Sequence, residues 1–132
     1  MSDQSPLDLV QHAYQAFGRG DVAAMLALMS DDFEWDSRYP AGVPIGGVWK
    51  GRDGVLSLLK TLSETEDVLA FAVQEFIAQG DKVVVLGFEE IRAKPTGRTY
   101  RNEWVHVWAV QDGQLARLRT YNDTAATVAA FV

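Results

Sequence analysis

Apolar residues recur at three- and four-residue spacing through the first half of the chain and alternate with polar ones through most of the second. Leu7, Val10, Tyr14 and Phe17 share one helical face. Ser5 offers a capping hydroxyl, and Pro6 lacks the N–H that a first turn leaves unbonded anyway, so a helix is predicted from about 6 to 18, stopping at Gly18 and Gly20. Asp21 caps a shorter helix whose Val22, Met25, Leu26 and Met29 lie together, which completes a helical hairpin. Phe33 to Ser37 alternates as a short half-buried strand, and Pro40, Gly42, Pro44, Gly46 and Gly47 then break regular structure into a loop. Asp53 is placed to start a third helix, with Val55, Leu56, Leu58, Leu59 and Leu62 as its buried face, ending before Asp67.

Beyond that point the pattern has period two. Strands are predicted near 68–78, 82–93, 98–110 and 114–122, separated by Gly80-Asp81, Pro95-Thr96-Gly97 and Asp112-Gly113. Connections this short make neighbours antiparallel. A last helix begins at Asp123 or Thr124, either of which can cap it. Helices first and a meander after is a segregated α+β order, in which the helices cover one sheet face. Val84, Leu86 and Phe88 alternate with Val83 and Val85, so that strand is apolar on both faces, and a homodimer packed through the outer sheet face is expected.

Composition narrows the function classes. At 132 residues, 48% apolar and 23% charged, the chain is sized for one domain with one core. The net charge of −6 and the absence of any Lys/Arg run give no footprint for nucleic acid or an anionic membrane. With no cysteine there is no disulfide, thiolate nucleophile or sulfur-ligated metal, and no apolar stretch approaches a spanning segment, so a cytoplasmic location is expected. His12 and His106 are too few and too separated for a metal site, and no cofactor is expected.

The 98–110 strand puts Asn102, Trp104, His106 and Trp108 on one side. A two-residue Asp112-Gly113 turn would set His106 opposite Arg119 and Trp108 opposite Arg117. A three-residue loop with Gly113 left-handed would instead set His106 opposite Leu118 and Trp104 opposite Thr120.

Gly20-Asp21, Asp31-Asp32, Trp35, and Gly46 to Gly51 ahead of a helix form a pattern that resembles the nuclear transport factor 2-like superfamily. His106-Val107-Trp108, Asp112-Gly113-Gln114 and the run Arg119 to Thr124 resemble its SnoaL-like polyketide cyclase and ketosteroid-isomerase-related branch. The resemblance covers nearly the whole chain. It implies a cone-shaped fold, helices on a curved and mainly antiparallel sheet, enclosing an apolar pocket. It also favours the three-residue loop, because in such cyclases a His on this strand and a pocket acid fourteen residues later both point inwards. On that basis Trp104, His106 and Trp108 face in with Ala116, Leu118, Thr120 and Asn122, while Arg117, Arg119 and Tyr121 face out. Pro95-Thr96-Gly97-Arg98, which resembles the matching turn of limonene-epoxide hydrolase, puts Gly87, Glu89 and Ile91 in and Glu90 out.

The catalytic sets of that branch are incomplete here. The isomerase Tyr position reads Ala13, with Tyr14 one residue off; its base position falls near Asp36 or Ser37, and its second Asp is replaced by His106. The cyclase acid is Thr120. The epoxide hydrolase set keeps a carboxylate at Glu89 but has Gly87 for its Arg and Thr120 for its other Asp. What survives is a candidate pair, Glu89 and His106, expected to meet across neighbouring strands and titrate as acid and base. Asn102 and Thr120 are candidates to hold a substrate oxygen, with Trp35, Trp104, Asn122 and Tyr14 as further ligand contacts and Arg38 and Tyr39 over the entrance. The expected activity is isomerisation, cyclisation or hydration of a small apolar molecule. The alternatives are a non-catalytic binder of a hydrophobic metabolite or a dimeric assembly module.

Overall fold

The computed structural model describes residues 4–132. Element order is α1 (Pro6–Gly18), α2 (Val22–Ala27), β1 (Met29–Ser37), β2 (Gly47–Lys50), α3 (Gly51–Thr65), β3 (Glu66–Gln79), β4 (Lys82–Ala93), β5 (Thr99–Gln111), β6 (Gln114–Tyr121) and α4 (Thr124–Phe131). One open sheet runs β2-β1-β6-β5-β4-β3, antiparallel except where β1 lies parallel to β6. The α+β class and the nuclear transport factor 2-like architecture read from the sequence are both present.

Local signals act as expected at the helix starts. The Ser5 hydroxyl accepts from the Asp8 N–H at 3.1 Å, and Asp21 and Asp123 cap α2 and α4. Three boundaries differ. Met29 opens β1 instead of ending α2, because the Leu115 N–H bonds the Leu28 carbonyl and draws the chain into the sheet. The end of the expected loop forms a short strand, β2, which pairs Trp49 with Trp35. The third helix starts at Gly51, two residues before Asp53, with no side-chain cap.

The hairpin between β5 and β6 matches neither register. Asp112 and Gly113 have φ of 52° and 75°, the left-handed pair of a two-residue turn, and Gln111 faces Gln114. Ala116 is then an extra residue between Leu115 and Arg117, and this bulge shifts the pairing so that His106 lies opposite Thr120 and Trp108 opposite Leu118. The sidedness survives with one correction: Leu115, fully buried, takes the inward place expected of Ala116.

The core lies between the sheet's inner face and the helices. Val10 and Ala13 of α1, Val55 and Leu58 of α3, and Val83, Val85 and Leu118 of the sheet are all sealed. Gly87 matters here. A Cβ at this position would fall within clashing reach of the Ala72 carbonyl and two ring carbons of Trp104, so glycine makes the space into which the Trp104 indole lies.

Candidate functional site

A cavity of about 300 Å³ opens between the inner sheet face, α1 and α3. Its apolar walls include Phe17, Leu58, Leu62, Phe71 and Leu118, and its polar groups fall into two sets.

The first set is a chain of three rings. The Trp108 indole N–H, which can only donate, reaches the Tyr14 hydroxyl at 3.0 Å. The Tyr14 hydroxyl in turn lies 2.6 Å from His106 Nδ1. With the indole donating to the phenol, assigning the phenol hydrogen to Nδ1 gives every group in the chain a partner and puts the hydrogen of the neutral imidazole on Nε2. His106 stacks on Trp104 at 3.9 Å between ring centroids, and Tyr14 lies parallel to it at 5.9 Å. The accessible surface His106 retains opens into the cavity, where apolar walls replace water. Desolvation there pulls its pKa from 6.5 to about 3, and burial pushes the Tyr14 phenol well above 10. The ring is a neutral hydrogen-bond donor at physiological pH.

The second set is acidic. Glu89 accepts from the Asn102 amide at 2.8 Å, and Glu66 accepts from the Tyr100 hydroxyl at 3.3 Å. Glu66 is 8% exposed, and burial followed by the charge of Glu89 raises its carboxyl pKa to about 7. Burial raises Glu89 as well, with the Asn102 bond pulling the other way. Tyr39 turns into the cavity and is pushed well above 10, first by burial and then by Glu89. Arg38 points away, bonding Asp36 at 3.0 Å, so only Tyr39 of the two loop residues reaches the cavity.

Several expected contacts are placed differently. Glu89 and His106 do not meet: Glu89 pairs with Asn102 and His106 with Val85, four positions further along β4. At about 3.3 Å per residue this separates their backbones by roughly 13 Å. Trp104 does not line the cavity but packs behind His106, 2% exposed. Asn102 is sealed, and its amide is fully engaged within the protein: Nδ2 serves Glu89 and Asn122, and Oδ1 accepts the Asp123 N–H at 2.8 Å. Asn102 therefore orients the carboxyl of Glu89 and has no group left for a ligand. Trp35, Tyr14, Thr120 and Asn122 do line the cavity, with the Thr120 hydroxyl accepting from Asn122 at 3.2 Å. Among the described residues no group of three or more His, Asp or Glu could hold a metal ion.

Glu66 is the residue that sequence reasoning missed. It follows α3 without a loop, its backbone already extended at φ −133° and ψ 142°, and the polar run Glu64-Thr65-Glu66-Asp67 looks like a solvated turn. Counting back by two from Val68 would have put Glu66 on the inner face.

The sequence model of the SnoaL-like domain matches residues 10–118. The chain belongs to the SnoaL-like domain family. An NTF2-like protein from Burkholderia xenovorans LB400 is 33% identical, with a TM-score of 0.88 over 100% of this SnoaL-like domain and 99% of that chain. TerC, co-crystallised with polyporic acid, is 30% identical with a TM-score of 0.84, covering 96% of this chain and 98% of that one. An uncharacterised protein of Mycobacterium tuberculosis is 28% identical over 129 residues, 96% of each chain.

Proposed function

We propose that this SnoaL-like domain is an enzyme that moves protons on a flat, apolar, carbonyl-bearing molecule, by isomerisation, cyclisation or hydration. The carrying observation is the ordered chain from Trp108 through Tyr14 to His106, which leaves Nε2–H as a fixed donor at the wall of an apolar cavity. A carbonyl oxygen bound there gains negative charge as a C–H conjugated with it is lost or water adds. A donor oriented in advance in a dry site stabilises that charge without reorganising. His106 is thus the polarising group, and Glu89, held by Asn102 four register positions away, is the acid/base for a carbon conjugated with that carbonyl and lying towards the acidic end of the cavity. TerC, 30% identical to this chain, was co-crystallised with polyporic acid, which supports a small organic molecule as the occupant of this cavity.

A binding protein that holds such a molecule without turning it over is the second reading, favoured by Thr120, whose hydroxyl replaces the acid the resemblance would put there. A thermal-shift screen of apolar ketones, quinones, lactones and epoxides on the wild type and on His106→Gln tests both. Saturating a site to about a hundred times its dissociation constant adds about 2.7 kcal/mol and raises the midpoint by several degrees. Ketone hits that weaken in the variant and show deuterium uptake at a carbon conjugated with the carbonyl support the enzyme. Hits indifferent to the variant, with no exchange, sink it and leave the binder.

A further inference from the structure

We infer that Glu66 is a specificity-determining residue: with Glu89 it makes the inner acidic end of the cavity accept a neutral hydroxyl on the ligand and reject an anion. This deepens the functional reading above, because it names what the far end of the carbonyl-bearing substrate carries.

The argument begins with charge. Both carboxyls line the cavity, Glu66 almost wholly buried, and neither forms an ion pair with any Lys, Arg or His among the described residues. The cavity wall contains no Lys or Arg, and its one histidine is neutral. Facing Glu66 are one further carboxyl, Glu89 on β4, and two neutral phenols, Tyr100 on β5 and Tyr39 in the loop after β1. A carboxylate or phosphate on a ligand would meet like charge in a low dielectric with no cation to offset it. A hydroxyl, by contrast, can donate to a carboxylate oxygen of Glu66, whose bond to Tyr100 is long and occupies only Oε2.

The two ends therefore differ in kind. The His106 end donates and takes the carbonyl; the Glu66 end accepts and takes a hydroxyl. A substrate spanning both is an uncharged hydroxy-ketone. The same pocket disfavours acids and phosphorylated molecules of equal shape.

Three probes that share a ketone and differ at one ring position test this: benzophenone, 4-(hydroxymethyl)benzophenone and 4-benzoylbenzoate. Affinities are measured by isothermal titration at pH 7.5 on the wild type, Glu66→Gln and His106→Gln. In the wild type the carboxylate is expected to bind at least about tenfold more weakly than the alcohol, the scale of one uncompensated like charge. In Glu66→Gln that ratio falls by roughly fourfold, the most that a carboxyl titrating at about 7 can cost an anion at pH 7.5 before it takes up a proton, while benzophenone itself changes little. Wild-type protein at pH 5.5 gives the same trend without mutation, since protonation removes the charge, and this arm holds if the variant folds poorly. A carboxylate that binds the wild type as tightly as the alcohol overturns the inference, as does a ratio unchanged in both Glu66→Gln and at pH 5.5, or the absence of binding by all three. The functional reading is judged separately: it fails if benzophenone affinity ignores His106→Gln, whatever the anion ratio does.

Discussion

The indole of Trp108 has one hydrogen to give and nothing with which to accept, and through Tyr14 that fact bears on which nitrogen of His106 carries the hydrogen. Two titrating groups at this scale act on stability with opposite signs. Glu66 holds its proton more tightly folded than unfolded, so its contribution is complete below about pH 4.5 and is lost as pH rises through about 7. His106 holds its proton less tightly folded, so its contribution is complete above about pH 6.5 and is lost as pH falls toward about 3. Glu89, raised in the same direction as Glu66, adds to the first effect. Denaturant titration of Glu66→Gln should remove much of the decline in stability between pH 5 and 8, a change of at most about 3 kcal/mol relative to wild type. His106→Gln should remove part of the loss between pH 6.5 and 4. A wild-type-like pH profile in Glu66→Gln would mean that this carboxyl is solvated in solution.

At the scale of elements, the site depends on two departures from regular strands. Gly87 leaves the space for the Trp104 indole, which in turn backs the His106 ring. Gly87→Ala must push Trp104 aside, and overpacking of this kind costs about 1–3 kcal/mol. A lowered melting midpoint and an altered near-ultraviolet tryptophan spectrum should report it; an unchanged spectrum would show that the indole is not held by Gly87. The bulge at Ala116 is the second departure. It brings Thr120, and not Leu118 or Arg119, opposite His106. The turn chemistry of Asp112-Gly113 was legible, but the bulge was not, because Leu115 and Leu118 are three apart and fit a strand only when one residue between them is unpaired.

At the scale of the molecule, the outer sheet face is as apolar as the strand pattern implied. Val84 pairs with Val107 and Leu86 with Val105 on that side, and Ile77 on β3 is 48% exposed. We also propose that a second copy covers this face. Its charges are of both signs, with Arg101 near Glu90 and Glu103 and Arg119 on Asp36, so a second copy can bring opposite charge to each. Light scattering on wild type and Leu86→Glu should show a dimer converted to a monomer that keeps its helical signal. A monomeric wild type would exclude this arrangement. No helix among the described residues is long and apolar enough to cross a membrane.

Periodicity, caps and turn residues determined the element order apart from β2, the α+β class and which residues of β5 share a face, because those depend on neighbours one to four positions apart along the chain; the resemblance chose which of the two faces points inward. The resemblance carried by Gly20-Asp21, Trp35 and the 106–124 segment led to the family that the match over residues 10–118 shows. Tertiary structure alone decided which inward side chains meet. It separated Glu89 from His106 by four positions of register, gave Tyr14 to His106 across 92 residues of sequence, committed Asn102 to holding Glu89, and drew Glu66 in from an acidic run that looked solvated. Register, bulges and the docking of α1 on the sheet set those meetings. Each is an energy difference between whole packings of the chain, which no local pattern of residues records.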